Sequence, residues 1–178
     1  MTNDKTKFYN ALAELCSDPR VTILKAYTQH KGIPTFQHCR NVAVYSFYLA
    51  EKLGWRIDEE ALARGAMLHD YYLYTVVEKQ KETKLSNYKH GITHPQLSLE
   101  NASKVFDLTE KEKNIIRSHM WPLTFFHVPA SKEAWLVCLT DTYCAVRELA
   151  GEKSELNPDI RSNWVLNFAR RKIRESFA

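Results

Sequence analysis

AMLHD at residues 66–70 ends a run of helix-forming residues with a histidine that is followed directly by an aspartate. Helical periodicity places His69 on one stripe with Leu62 and Ala66, so we expect its ring to point into the interior. Asp70 lies about 100° further round the helix, at the edge of that stripe. A buried imidazole beside a buried carboxylate is costly unless a partner satisfies both, and a divalent cation does so. The dipeptide is therefore either a pair of metal ligands or an ordinary hydrogen-bonded pair in a structural core.

The composition of the whole chain favours a single all-α domain. Of the 178 residues, 44% are hydrophobic and 26% are charged, which is ordinary for a globular protein. This length fits one domain over residues 1–178 with one core. Only five glycines and six prolines are present, which argues against a loop-rich β architecture. We therefore expect a single-domain helical bundle.

Charge and cysteine content exclude several classes of protein. A net charge of +4 is too small to indicate a nucleic-acid polymer as partner, and the basic residues at 170–174 are interpreted as a solvated helix face. The four cysteines form no Cys-x-x-Cys pair, and the chain opens without an apolar signal region. No stretch approaches the roughly 20 apolar residues that span a bilayer. We expect a cytoplasmic protein with reduced thiols and no membrane partner.

Two predicted helices each carry a polar residue in the middle of an apolar stripe. A helix over residues 34–53 has His38 in line with Tyr45, so its imidazole is expected to face the core. A helix capped by Ser131 and running to about residue 150 has Asp141 at a core position. Burying that carboxylate without a partner would cost several kcal/mol, so we expect a cation beside it.

Two further histidines lie in the middle of the chain. Residues 77–93 are polar, lysine-rich and without periodicity, and they are predicted to form a long loop of the kind that often carries function. His94 precedes Pro95, which predicts that a helix begins here with His94 at its mouth. His119 shares the apolar side of its predicted helix with Ile116, so it too is expected to point inward.

The remaining helices are predicted to serve packing. Gly54 is expected to end the helix that carries His38. Three other helices are predicted over residues 4–16, 22–29 and 59–69, and Asp58 is expected to cap the third of them. A further helix is expected to begin with a capping box of Thr109 and Glu112, and a final helix is expected to begin at Asn157-Pro158.

A shared metal centre explains these inward polar residues better than separate exceptions to an apolar core. Imidazole and carboxylate ligands without cysteine suit iron, manganese or zinc. Six inward side chains are too many for one catalytic ion that must keep open coordination positions. Two divalent ions that share a bridging carboxylate fit this number of ligands. The candidate metal ligands are His38, His69, Asp70, His94, His119 and Asp141.

This ordered series resembles the HD-domain superfamily of metal-dependent phosphohydrolases, over about residues 33–150. The segment at residues 89–95 is similar to a largely uncharacterised bacterial subgroup of the binuclear branch. The resemblance implies an HD-type helical bundle, with the terminal helices packed onto the metal-binding core. It also implies that one ion is bound by His38, His69, Asp70 and Asp141, and that Asp70 bridges to a second ion held by His94 and His119.

The function that the resemblance implies is hydrolysis of a phosphate ester of a small metabolite, nucleotide or dinucleotide by a hydroxide that bridges the two ions. The candidate catalytic residues are Asp70, His90 and Arg147, and the candidate residues for binding an anionic, phosphorylated substrate are Lys89, His90, Arg117 and Arg147. Many family members continue the pair as His-Asp-x-x-Lys, but this chain has Leu73 at that position. The general acid is therefore open, with Tyr71, Tyr72 or His90 as alternatives.

Two other functions use the same residues. Some members of the superfamily hold two irons with this ligand set and activate dioxygen against a C–H bond. A third alternative is a regulatory module that binds a nucleotide without catalysis. Iron-dependent consumption of dioxygen would indicate the oxygenase, and failure to bind metal would indicate the regulatory module.

Overall fold

The computed structural model describes residues 5–29, 32–83 and 86–151, and no β-strand occurs among them. The all-α prediction is therefore confirmed, while the assignment of residues 1–178 to one domain stays a prediction. None of the described helices combines the length and the apolar character that crossing a bilayer requires. The helices are α1 (Lys5–Ser17), α2 (Pro19–Thr22), a short 3₁₀ helix (Ile23–Ala26), α3 (Thr35–Leu53), α4 (Glu59–Leu68), α5 (Val76–Thr83), α6 (Asn87–Ser103), α7 (Glu110–Ser118) and α8 (Lys132–Leu149).

Local signals place several helix ends where the sequence predicts them. Gly54 adopts the left-handed conformation (φ 64°) that ends α3. The side chain of Asp58 accepts a hydrogen bond from the Ala61 amide at the start of α4. Helix α7 begins with the predicted capping box of Thr109 and Glu112, and Ser131 caps α8. These caps satisfy amide groups that have no partner within the helix.

Helix α4 lies at the centre of the bundle, in contact with α1, α3, α7 and α8. Its inner face is fully buried through Leu62, Ala66 and Leu68. A Cβ added at Gly65 would lie 2.6–2.9 Å from three side-chain atoms of Ile115, so the absence of a side chain there lets α4 and α7 approach closely. The buried end of α4 therefore delivers the histidine–aspartate pair into the middle of the bundle.

The prediction of a long loop over residues 77–93 is wrong. The segment contributes to α5 and to α6, whose first turn is capped by Ser86, so His94 lies within a helix and Pro95 lies inside it. The inward positions of this part of α6 are His90, Gly91 and His94 rather than large apolar residues. Apolar periodicity is therefore missing although the backbone is helical.

The helix predicted over residues 22–29 is also wrong. Asp18 caps a one-turn helix that has Pro19 in its first turn, and a 3₁₀ turn follows. The chain then runs extended, and the Gln29 amide donates a hydrogen bond to the Ile33 carbonyl (2.9 Å). The predicted last helix from Asn157 lies outside the described residues.

Candidate metal centre

The six candidate ligands converge from five parts of the bundle. His38 comes from α3, His69 and Asp70 from the end of α4, His94 from α6, His119 from the residue after α7, and Asp141 from α8. All six are buried, with at most 8% of the residue surface exposed. The structure thus brings into one place residues that are separated by up to about a hundred positions in the chain.

Three of the four imidazoles are oriented by backbone carbonyls. The Nδ1–H of His69 donates to the Ala66 carbonyl (2.7 Å), that of His94 to the His90 carbonyl (2.9 Å), and that of His119 to the Ile116 carbonyl (2.7 Å). A carbonyl oxygen can only accept, so each Nδ1 carries the proton. In the neutral ring, each Nε2 therefore presents a lone pair to the centre of the cluster.

A carboxylate orients the fourth imidazole. Nδ1 of His38 lies 3.0 Å from both carboxylate oxygens of Glu148 and donates to them. Its Nε2 lies 2.9 Å from Oδ1 of Asp141. The arrangement of carboxylate, imidazole and inward Nε2 is one that metal sites commonly use to orient a histidine ligand.

Several of the inward atoms lack a partner that could satisfy them. Nε2 of His94 lies 2.7 Å from Nε2 of His119, and two neutral rings that carry their protons on Nδ1 cannot form a hydrogen bond there. Nε2 of His69 and Oδ1 of Asp70 are buried without a hydrogen-bond partner among the described residues. Such groups are costly to bury, and divalent cations satisfy imidazole and carboxylate donors together. The residues present therefore fit a metal centre.

Asp70 divides the cluster into two halves. Its Oδ1 lies 3.1 Å from Nε2 of His94 and 3.5 Å from Nε2 of His119. Its Oδ2 lies 3.4 Å from Nε2 of His69 and 3.8 Å from Nε2 of His38. Two overlapping triads have ligand atoms that all lie within 4.8 Å of one another, namely His38 with His69 and Asp141, and His69 with Asp70 and His119.

Burial and neighbouring charges shift the pKa values of the cluster in opposite directions. Burial lowers the pKa of His38, but the hydrogen-bonded carboxylates of Asp141 and Glu148 outweigh it, and the pKa is raised. Burial raises the pKa of Asp70, whereas neighbouring His69 and His94 lower it well below its usual range. Burial, His94 and His69 lower the pKa of His119 to about 3. Asp70 is thus an ionised carboxylate and His119 a neutral imidazole, the forms in which both bind metal.

Two polar residues at the centre escaped the sequence analysis. Glu148 follows Asp141 by two helical turns on α8, so the spacing that singles out Asp141 also places Glu148 on the same face. Gln29 donates a hydrogen bond from Nε2 to Oδ2 of Asp70 and is 5% exposed. Gln29 lies in an extended segment, so no helical periodicity could indicate that its side chain points toward the cluster.

A cavity of about 510 Å³ opens from the cluster toward the surface. His38, Asp70, His94 and Asp141 line its polar end, together with Gln29, Tyr72, His90 and Thr142. The ring of His90 stacks on that of His94 at 4.7 Å between centroids. Nδ1 of His90 also lies 2.9 Å from the Tyr74 hydroxyl. Of the predicted substrate-binding residues, His90 is the one that lies on the cavity wall.

The other predicted substrate-binding residues lie elsewhere. Lys89 is exposed and Arg117 is half-buried, and neither lines the cavity. Arg147 precedes Glu148 on α8 and donates to the hydroxyls of Tyr45 and Tyr143 on another face of the helix. The structure therefore does not bring these three cations to the cavity wall, and their proposed roles gain no support from the geometry.

The two tyrosines considered as general acid also differ in whether they line the cavity. Tyr72 lines the cavity, whereas the hydroxyl of Tyr71 donates to the Arg20 carbonyl (2.6 Å) away from it. Leu73 packs against the hydrophobic core and adopts a left-handed backbone conformation (φ 61°), which is strained for a leucine. The chain has no lysine at this place to assist at the centre.

Comparison with known proteins gives one family. The family model described as HD domain matches residues 35–146, more than half of the chain. The matched residues include all six candidate metal ligands, whereas Gln29 and Glu148 fall outside the match. Neither a curated protein nor a solved structure matches the chain.

Proposed function

Since the chain belongs to the HD domain family, we propose that it is a metal-dependent phosphohydrolase that hydrolyses a phosphate ester of a small molecule. The observation that carries this proposal is the convergence of four imidazole Nε2 atoms on the carboxylates of Asp70 and Asp141. An anionic substrate is expected because bound cations leave the centre positively charged.

We propose two divalent ions, iron, manganese or zinc. The two oxygens of Asp70 face different pairs of imidazoles, which supports a bridging role. When bound, the ions would polarise the phosphoryl group and make a water molecule acidic near neutral pH. The proposed ligands of one ion are His38, His69, Asp70 and Asp141, and those of the other are Asp70, His94 and His119.

The chain's own groups hold these ligands in place. Three backbone carbonyls and Glu148 fix the ring orientations through Nδ1. Gln29 donates to Oδ2 of Asp70 and so restricts rotation of the carboxylate that faces both halves. Ligands held in this way lose less conformational freedom when an ion or substrate binds.

We propose that His90 contacts the substrate. It lines the cavity beside His94, so a phosphate ester at the polar end would lie next to its ring. In the protonated ring, Nδ1–H of His90 donates to the Tyr74 hydroxyl, and Nε2–H can transfer its proton to the ester oxygen that leaves. Lys89, Arg117 and Arg147 are assigned no contact with substrate.

The test is phosphate release by metal-loaded protein, compared between the wild type, Asp70→Asn and Asp107→Asn. Asp107 is exposed and lies outside the cavity, so its variant controls for loss of a carboxylate. We expect activity in the wild type and the control, and a loss of at least a hundredfold in Asp70→Asn.

Equal activity in all three proteins would contradict the proposed function. Iron-dependent consumption of dioxygen without phosphate release would indicate the oxygenase alternative. Binding of a nucleotide without turnover of any ester would indicate the regulatory module.

A further inference from the structure

The cavity has two chemically different ends. Its buried end is polar and contains the metal-ligand cluster, whereas the more exposed part of its lining is mostly apolar. The apolar lining comprises Val76 and Val77 of α5, Met120, and Ala145, Val146 and Leu149 of α8. A molecule whose phosphate lies at the cluster must therefore place its remaining part against apolar side chains.

The α8 wall is one continuous helical stripe. Ala145, Val146 and Leu149 follow the spacing of neighbours on a single helix face, and the polar Thr142 lies one turn before them. This stripe adjoins the one that carries Asp141, so the apolar wall begins at the cluster and extends outward from it. Val146 is 53% exposed and Leu149 is 50% exposed, which leaves apolar surface available for a ligand to cover.

The α5 wall is anchored beside the centre. The amide of Val76 donates to the Thr28 carbonyl (3.2 Å), one residue before Gln29, which binds Asp70. Val77 is 49% exposed at the cavity. The start of this helix is thus fixed to the segment that orients the bridging carboxylate, and both walls are positioned relative to the cluster.

The described part of the cavity lining has no cationic side chain of lysine or arginine that could bind a second phosphate. The nearest basic residue along α8, Arg147, is engaged with Tyr45 and Tyr143. The extra charges of a nucleoside di- or triphosphate would therefore lie against apolar walls without a counterion, which is costly.

We propose that the substrate is a phosphate monoester of an apolar alcohol, whose hydrocarbon part lies against the apolar lining residues Val77, Val146 and Leu149. This inference rests on the proposed function and narrows it. In the reaction, a bond forms between the oxygen of water and phosphorus, the ester P–O bond breaks, and the alcohol leaves with one proton from water. Ester and water thus give alcohol and hydrogen phosphate without an oxidant or reductant. The cavity volume of about 510 Å³ is within the range of roughly 300–1,000 Å³ that holds drug-sized ligands.

The first experiment compares kcat/KM of the metal-loaded protein for methyl phosphate, hexyl phosphate, AMP and ATP. Each buried methylene is worth about a threefold to fourfold gain. If three of the five additional methylenes of hexyl phosphate are buried, we expect it to exceed methyl phosphate by about thirtyfold or more. AMP and ATP are expected to be poorer substrates than hexyl phosphate.

Binding is measured separately from turnover with hexylphosphonate and methylphosphonate, whose C–P bond is not hydrolysed. Calorimetry on the wild type should show tighter binding of the hexyl compound. The preference, defined as the ratio of the affinity for hexylphosphonate to that for methylphosphonate, should fall by at least threefold in Val146→Asn and in Val77→Asn. Val128→Asn is the matched control, because Val128 is 52% exposed and lies outside the cavity, and the preference should not change in it.

The outcomes separate this inference from the proposed function. Equal rates for methyl and hexyl phosphate, faster turnover of ATP, or an unchanged preference in both cavity variants would overturn the inference while leaving the phosphohydrolase intact. Absence of turnover for every ester would instead count against the proposed function. In that case, loss of the hexylphosphonate preference in Val146→Asn but not in Val128→Asn would still support an apolar ligand site.

Discussion

Nε2 of His94 and Nε2 of His119 lie 2.7 Å apart, while both rings donate Nδ1–H to backbone carbonyls. Two lone pairs at this distance repel each other unless a cation lies beside them. The relationship follows directly if both nitrogens are metal ligands. It also means that the stability of the folded protein should depend on the metal.

Removal of metal should lower the melting temperature. A ligand that binds only the folded state at 100 times its Kd stabilises it by about 2.7 kcal/mol, which for a protein of this size corresponds to a shift of about 5–10 °C. Calorimetric scans with and without EDTA measure the shift, and adding back an excess of metal should restore the original value. An unchanged melting temperature would contradict a metal-stabilised centre.

Glu148→Gln should weaken metal binding by about 10–100-fold, because the carboxylate that orients His38 is removed. Its matched control is Glu133→Gln, since Glu133 is similarly buried on the same helix but accepts from the Asp58 amide. Both variants should lose about 1–3 kcal/mol of stability. Competition with a metal-sensitive dye should show a weaker affinity for metal in Glu148→Gln alone. Equal affinity for metal in the two variants would mean that Glu148 contributes only to the stability of the fold.

His90→Gln should reduce kcat by about 10²–10⁴-fold if His90 donates a proton to the leaving oxygen. Tyr74→Phe removes the hydroxyl that faces Nδ1 of His90 and should cause a smaller loss. Metal content, measured on the same samples, should stay at the wild-type level in both variants. Full activity in His90→Gln would show that the ring only packs against His94.

Gly65→Ala should destabilise the fold by about 1–3 kcal/mol, because the new methyl group would overlap the side chain of Ile115. Urea unfolding of this variant, of Ile115→Ala and of the double variant measures the coupling. The double variant should lose less stability than the sum of the single changes. Strict additivity would mean that α4 and α7 separate to accommodate the methyl group.

Much of the fold could be predicted because local chemistry determines helix ends. Asp58, Thr109 and Ser131 provide side-chain oxygens for the first amides, and Gly54 permits the left-handed residue after α3. The first part of α6 could not be predicted, because His90, Gly91 and His94 replace the apolar residues that indicate a buried helix face. A site that occupies the interior removes the periodicity by which its own helix would be recognised.

Residues of the candidate site were predictable to the extent that they interrupt an apolar stripe. His38, His69, His119 and Asp141 do so, and the structure brings them together. Glu148 continues the stripe of Asp141 and could have been recognised from its spacing. Gln29 could not, because its contact with Asp70 joins an extended segment to a distant helix end.

The central claim is that Asp70 bridges two metal ions. Elemental analysis of protein purified without added metal, for the wild type and Asp70→Ala, tests it most directly. The account predicts about two equivalents of iron, manganese or zinc in the wild type and their loss in the variant. Substoichiometric metal that does not respond to the loss of Asp70 would contradict it.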